Sequence, residues 1–133
     1  MLSGARLVAF AATTDLARSH AFYGEVLGLR HVETTPIANV YDAGGTTLRV
    51  TLVDRVAPGQ YTVLGWTISD IAAAMDDLAT RGLAFERYEG LDQDAAGVWT
   101  APGGARIAWF RDPDGNVLSL TQMRGTAGEG YDP

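Results

Sequence analysis

The chain contains no cysteine and no lysine, only two histidines, and no apolar run that approaches a membrane span. Without cysteine, disulfides, thiolate metal sites and cysteine nucleophiles are excluded. Without lysine there is neither a Schiff-base amine nor a phosphate-loop lysine. His20 and His31 are too few for a histidine-rich metal centre, and no Ser-His-Asp arrangement can be argued with them. All strong positive charge comes from 10 arginines set against 16 carboxylates, a formal charge of -6 with a pI near 4.7. Such a surface repels nucleic-acid phosphates and anionic lipid, so neither is expected as a partner. A bilayer span needs about 18 apolar residues, and the N-terminus lacks a basic-then-apolar leader, so a cytoplasmic location is expected.

What is present is an ordinary globular composition. The 133 residues are 47% hydrophobic and 20% charged, enough for one domain with its own core. An internal repeat organises them. Leu7 to Asp15 reads as a strand ending in a helix cap, and Thr62 to Asp70 reads the same way 55 residues on. Asp15 and Asp70 suit N-caps, because a carboxylate accepts from the free N–H groups of a first turn. Beyond Asp70, apolar side chains recur at Ile71, Ala74, Met75 and Leu78, one helical face. Leu16, Ser19, His20 and Tyr23 form the matching face in the first half, continuing to Val26 and Leu27. Gly28 and Gly82 stand where a left-handed C-terminal cap is wanted.

Short strands follow each helix. The first half predicts strands over about Leu29–Thr34, Ile37–Ala43 and Thr46–Val53, with Gly44-Gly45 as a hairpin turn. The second half predicts Leu83–Glu89, Gly97–Ala101, Ala105–Phe110 and Asn116–Gln122, with turns at Pro102-Gly103-Gly104 and Asp112-Pro113-Asp114-Gly115. The expected fold is α+β: two tandem βαβββ modules, about 5–56 and 61–123, in a single domain over 1–124. A loose Gly-rich tail is expected over 125–133.

Two phrases go further. Phe22-Tyr23-Gly24-Glu25-Val26-Leu27-Gly28-Leu29 resembles the helix end of the vicinal oxygen chelate superfamily, the glyoxalase, bleomycin-resistance and extradiol dioxygenase group. Phe110-Arg111-Asp112-Pro113-Asp114-Gly115-Asn116 resembles that group's turn before its last strand. The resemblance covers about residues 6 to 122 and implies a cupped mixed sheet with the site on its concave face. It says less about activity, since one fold hosts several chemistries.

The resemblance also implies where a metal would sit. Catalytic members hold a divalent ion with histidine or glutamate from four strands. The two early positions lie seven residues before the capping aspartates and are Val8 and Val63 here. The late positions, mid-way along the last strand of each half, are Arg49 and Ser119. Valine has no lone pair, serine is a poor ligand, and arginine is a permanent cation. No metal and no cofactor are therefore expected, which argues against glyoxalase I, extradiol dioxygenase, epimerase and thiol-transferase chemistry.

Strand alternation places Val8, Phe10 and Ala12 toward the cup, with Val63, Gly65 and Thr67 in the equivalent strand. Phe10 and Arg49 are its prominent groups. Tyr41, Tyr61, Trp99 and Trp109 are candidate walls, and Ser119 is a candidate polar contact; alternation alone does not say on which side of the sheet the aromatics fall. Arg49 suits a carboxylate, phenolate or polarised carbonyl, or else an ion pair with Asp42 or Glu33. His20 reads as a structural histidine and His31 as solvated. Glu86, Glu89, Asp92 and Asp94 read as an acidic rim or a solvated face, and Asp112 and Asp114 as turn formers.

The function expected from these residues is metal-free sequestration of a small molecule by a homodimer, like the bleomycin-resistance branch, which the resemblance implies traps drugs in shared clefts without chemistry. The alternatives are a metal-independent isomerase or cyclase using Arg49 electrostatically, a regulatory dimer with a vestigial cup, and a metal-dependent glyoxalase-like enzyme if the strand register is misread. No catalytic residue is assigned.

Overall fold

The computed structural model describes residues 1–125, and the tail expected over 125–133 lies, past Gly125, outside them. The chain divides into two compact units. One comprises Met1–Gly59 with Asp112–Asn116, the other Gln60–Arg111 with Val117 onward.

The first unit runs β1 (Val8–Thr13), α1 (Leu16–His20), β2 (Arg30–Thr34), β3 (Ala38–Ala43) and β4 (Thr46–Leu52). Its four strands lie in the order β1-β4-β3-β2, with β1 parallel to β4 and the other pairs antiparallel. The second unit repeats the pattern with β5 (Thr62–Thr67), α2 (Ile71–Thr80), β6 (Trp99–Thr100), β7 (Arg106–Arg111) and β8 (Val117–Gln122), in the order β5-β8-β7-β6. Each unit is thus a βαβββ module with one mixed sheet, as the repeat predicts. Asp15 and Asp70 cap their helices as expected, accepting from Arg18 N–H and Ala73 N–H, each at 3.0 Å. Among the described residues no helix is long and apolar enough to cross a membrane.

Two local expectations need correction. The first helix does not stay α-helical to Leu27: Ala21–Val26 widens into a π-helical turn, with Leu27 N–H donating to Phe22 O at 2.8 Å. The wider turn lets two consecutive aromatics, Phe22 and Tyr23, both face the core. The second correction is Leu83–Glu89, which is not a strand. Only Phe85 bridges to Phe110, and a side chain takes the place of a strand partner further on. Gln93 accepts from Tyr88 N–H at 2.7 Å and donates to the carbonyls of Glu86 and Gly97 at 3.0 and 2.8 Å. Those backbone groups are satisfied without a ladder, so the segment curls.

The turn Asp112–Asn116 joins two strands of the second unit yet packs in the first. One oxygen of the buried Asp112 carboxylate accepts from Asp114 N–H and Asn116 N–H, both at 2.9 Å, which closes the turn. The other accepts from the Tyr23 hydroxyl at 2.6 Å and the Asn116 amide at 2.8 Å. Asn116 also donates to Ala12 O at 3.0 Å. Asp114 accepts from the Thr13 hydroxyl at 2.6 Å, from Thr14 N–H and hydroxyl at 3.0 and 3.1 Å, and from Arg18 at 2.8 Å. Both aspartates form the turn as expected, and in addition they tie it to β1 and the first helix. Burial raises the Tyr23 phenol well above its ordinary value, and the Asp112 charge adds to the effect.

Candidate functional site

In the first unit the register decides which residues share a face. The Asn39 amide donates to Leu16 O at 2.9 Å, which puts Asn39 and therefore Tyr41 on the helix side of β3. Their register partners Val50 and Leu48, with Ala11 and Ala9 beyond, line the same side. The opposite side carries Val8, Phe10 and Ala12 from β1 and Thr47, Arg49 and Thr51 from β4. On it, Phe10, Arg49 and Val40 are neighbours in one cross-strand row. Phe10 is 61% exposed, Arg49 half-buried and Val40 buried.

Tyr41 is therefore not a wall of this face. It is fully buried on the helix side, where its hydroxyl meets His20 Nδ1 at 2.9 Å, and burial pushes its pKa up to about 12. His20 has the structural setting expected of it. His31 is exposed as expected, though its ring lies 4.6 Å from that of His20.

Arg49 does not take the ion pair weighed for it. Asp42 instead binds Arg30 at 3.2 Å and accepts Gly45 N–H at 2.8 Å. Glu33 is the register partner of Val40, two strands from Arg49. Among the described residues the Arg49 guanidinium has neither a hydrogen bond nor an ion pair.

In the second unit, Leu64, Trp66, Phe110, Leu118 and Leu120 share the core face, with Trp66 stacked on Phe110 at 6.5 Å. The reverse face carries the rows Gly65–Ser119–Trp109 and Thr67–Thr121–Ile107–Trp99. Trp99 and Trp109 come together there, ring centroids 6.2 Å apart, and Tyr88 meets Trp109 edge-on at 5.6 Å. Tyr88 was not among the candidates, because a residue in an irregular loop has no alternation to place it. Burial raises its phenol pKa, and the Glu86 charge adds to this against Arg111. Ser119 lies between Trp109 and Gly65, and a Cβ at Gly65 would meet Ser119 Oγ at 2.7 Å, so a larger residue there would turn that hydroxyl aside. Tyr61 precedes β5 and is 71% exposed, apart from this cluster in the chain and without a ring partner among the described residues.

The acidic run is only partly free. Glu86 pairs with Arg111 at 2.9 Å, and Asp94 accepts from Ala96, Gly97 and Val98 N–H at 2.9–3.0 Å. Those backbone donors, that of Val98 foremost, hold the Asp94 carboxyl below the usual range.

The residues at the four inferred metal positions do not fit a divalent cation. Val8 and Val63 have no donor, Arg49 brings a positive charge, and Ser119 has a single hydroxyl. Their cross-strand neighbours Thr47, Phe10, Val40, Gly65 and Trp109 add neither carboxylate nor imidazole. Among the described residues no three His, Cys, Asp or Glu side chains group together as a metal site would require.

Comparison with known proteins agrees with this architecture. A profile of the Glyoxalase/Bleomycin resistance protein/Dioxygenase superfamily matches residues 6–120. No curated protein matches significantly. A solved member of that superfamily from Sphaerobacter thermophilus is 25% identical with a TM-score of 0.70, over 92% of this chain and 99% of that one. The fosfomycin resistance protein FosX from Listeria monocytogenes superposes with a TM-score of 0.72 at 16% identity, covering 98% and 100%. TioX from Micromonospora follows at 0.67 and 21%, covering 90% and 98%. At those last two identities the likeness concerns the fold alone.

Proposed function

The chain belongs to the Glyoxalase/Bleomycin resistance protein/Dioxygenase superfamily, and on that premise we propose that it binds and sequesters a small molecule, a drug or natural product, without metal and without chemistry. Valine, arginine, valine and serine at the four metal positions support this reading most directly. The reverse face of the second sheet supplies what a binding surface needs: Trp99, Trp109 and Tyr88 as flat apolar area, and Ser119 as a polar contact beside Trp109. Catalysis is disfavoured because several candidate acid–base groups are already committed. Tyr23, Tyr41 and Tyr88 are all pushed upward, away from a neutral-pH base, and Glu86 is held by Arg111. Val8, Tyr61 and Val63 are exposed, and burying them against a second copy is the reason to propose a homodimer. FosX is a resistance protein by its description, which makes a resistance role for this chain a natural case to test.

Native mass spectrometry and metal analysis on one purified sample test the proposal. The expected result is a dimer without a stoichiometric divalent ion, whose melting temperature and ligand binding survive dialysis against chelator. A loss on dialysis that zinc, nickel or manganese restores would return a metalloenzyme to the front. Trp99→Ala and Trp109→Ala should each weaken a bound ligand by about 1–3 kcal/mol, as truncation of an aromatic anchor does. Calorimetry showing unchanged affinity in both variants would remove this face from the site.

A further inference from the structure

We infer that the face of the first sheet carrying Phe10 and Arg49 binds a planar aromatic anion, its oxyanion held by Arg49 and its ring laid on Phe10; this rests on the binding reading above. Arg49 is half-buried, and its five guanidinium donors have no protein partner among the described residues. In the first unit the nearby carboxylates are otherwise disposed: Asp42 is taken by Arg30 and Gly45 N–H, and Glu33 stands beyond Val40. A carboxylate or phenolate on the ligand would complete the fork. Thr47 and Thr51 flank Arg49 on the same side of β4, and among the described residues their hydroxyls have no partner. They are further donors to the same oxyanion.

Phe10 is the register partner of Arg49, on a strand about 4.8 Å away. Phe10 is 61% exposed although it lies mid-way along a strand paired with β4. Its ring is thus an uncovered apolar plane beside a cation. A flat ring bearing an anionic substituent satisfies both at once. The net charge of -6 draws cations at long range, but salt screens that field beyond about 8–10 Å. At contact distance the unpaired arginine sets the preference.

Calorimetric titration with 2-naphthoate, its neutral isostere 2-naphthamide, and the cationic 2-naphthylmethylamine reads ring and charge separately. The wild-type protein should bind 2-naphthoate at least about tenfold more tightly than the amide, the size of a charge-assisted bond. Arg49→Gln should erase that preference while leaving the melting temperature in place. Phe10→Ala should weaken naphthoate and amide alike. If Arg49→Gln leaves naphthoate affinity unchanged, or the amine binds best, the anionic assignment falls while small-molecule binding stands. If none of the three binds at millimolar concentration, this inference is overturned. The binding reading falls with it only when native mass spectra also carry no retained ligand.

Discussion

Asp112→Ala should destabilise the fold by about 3–5 kcal/mol, read from urea unfolding with an unchanged m-value. Removing this acceptor strands four donors: the Tyr23 hydroxyl, the Asn116 amide, and the N–H groups of Asp114 and Asn116. Tyr23 is fully buried and Asn116 nearly so, so water cannot replace the lost bonds without opening the core. Each buried donor left without an acceptor costs about 1–3 kcal/mol, and several are stranded at once, against a total stability of about 5–15 kcal/mol for a typical domain. Tyr23→Phe removes only one of the four bonds and should cost about 1–2 kcal/mol. If Asp112→Ala costs less than Tyr23→Phe, the carboxylate is not the hub described above.

Asp114→Ala should cost about 2–4 kcal/mol near neutral pH, again by urea unfolding. Its carboxylate is only 3% exposed and accepts from both Thr13 and Thr14. Arg18 is 46% exposed, so the ion pair itself adds less than those hydrogen bonds. Burial alone would raise this carboxyl, but the threonine bonds and then the Arg18 charge outweigh it and hold the pKa below the usual range. With a depressed folded-state pKa, the unfolded chain takes up the proton first, and acid favours unfolding. The Asp114 contribution is complete above about pH 4, the unfolded value, and is lost as pH falls through the folded one. Asp114→Asn should therefore flatten the fall in stability between pH 6 and 3. A slope identical to wild type would mean that the acid sensitivity comes from other carboxylates.

The strand–helix rhythm and both caps could be read locally, because a capping aspartate and its N–H partner are three residues apart. So could the side-chain alternation of β1 and β5, where Phe10 and Gly65 fall on the expected faces. Alternation cannot say which face of β3 meets the helix, so it leaves the side of Tyr41 open; the Asn39 bond to Leu16 O decides it. The Leu83–Glu89 pattern looks like a strand, but a pattern does not reveal that Gln93 satisfies its backbone instead. The pairing weighed for Arg49 failed similarly. Asp42 is seven residues away in sequence, but the β2–β3 register brings Arg30 opposite it. The partners of Asp112 and Asp114 in β1 and the first helix lie 89 to 101 residues distant, beyond the reach of any spacing rule.

That distance also sets an order of events during synthesis. The first unit is not contiguous: its N-terminal 59 residues lack the turn Asp112–Asn116 until nearly the whole described chain has been made. At about 5–20 residues per second, the Tyr23 hydroxyl waits roughly 5–20 s on the ribosome for its acceptor. During that interval Tyr23, Thr13 and Ala12 O have no native partner for the bonds the turn will supply. A half-made chain is thus a poor substrate for early folding. The structure ties completion of the first unit to a turn made 89 residues after Tyr23, and chaperone occupancy of the nascent chain should persist until that turn has emerged.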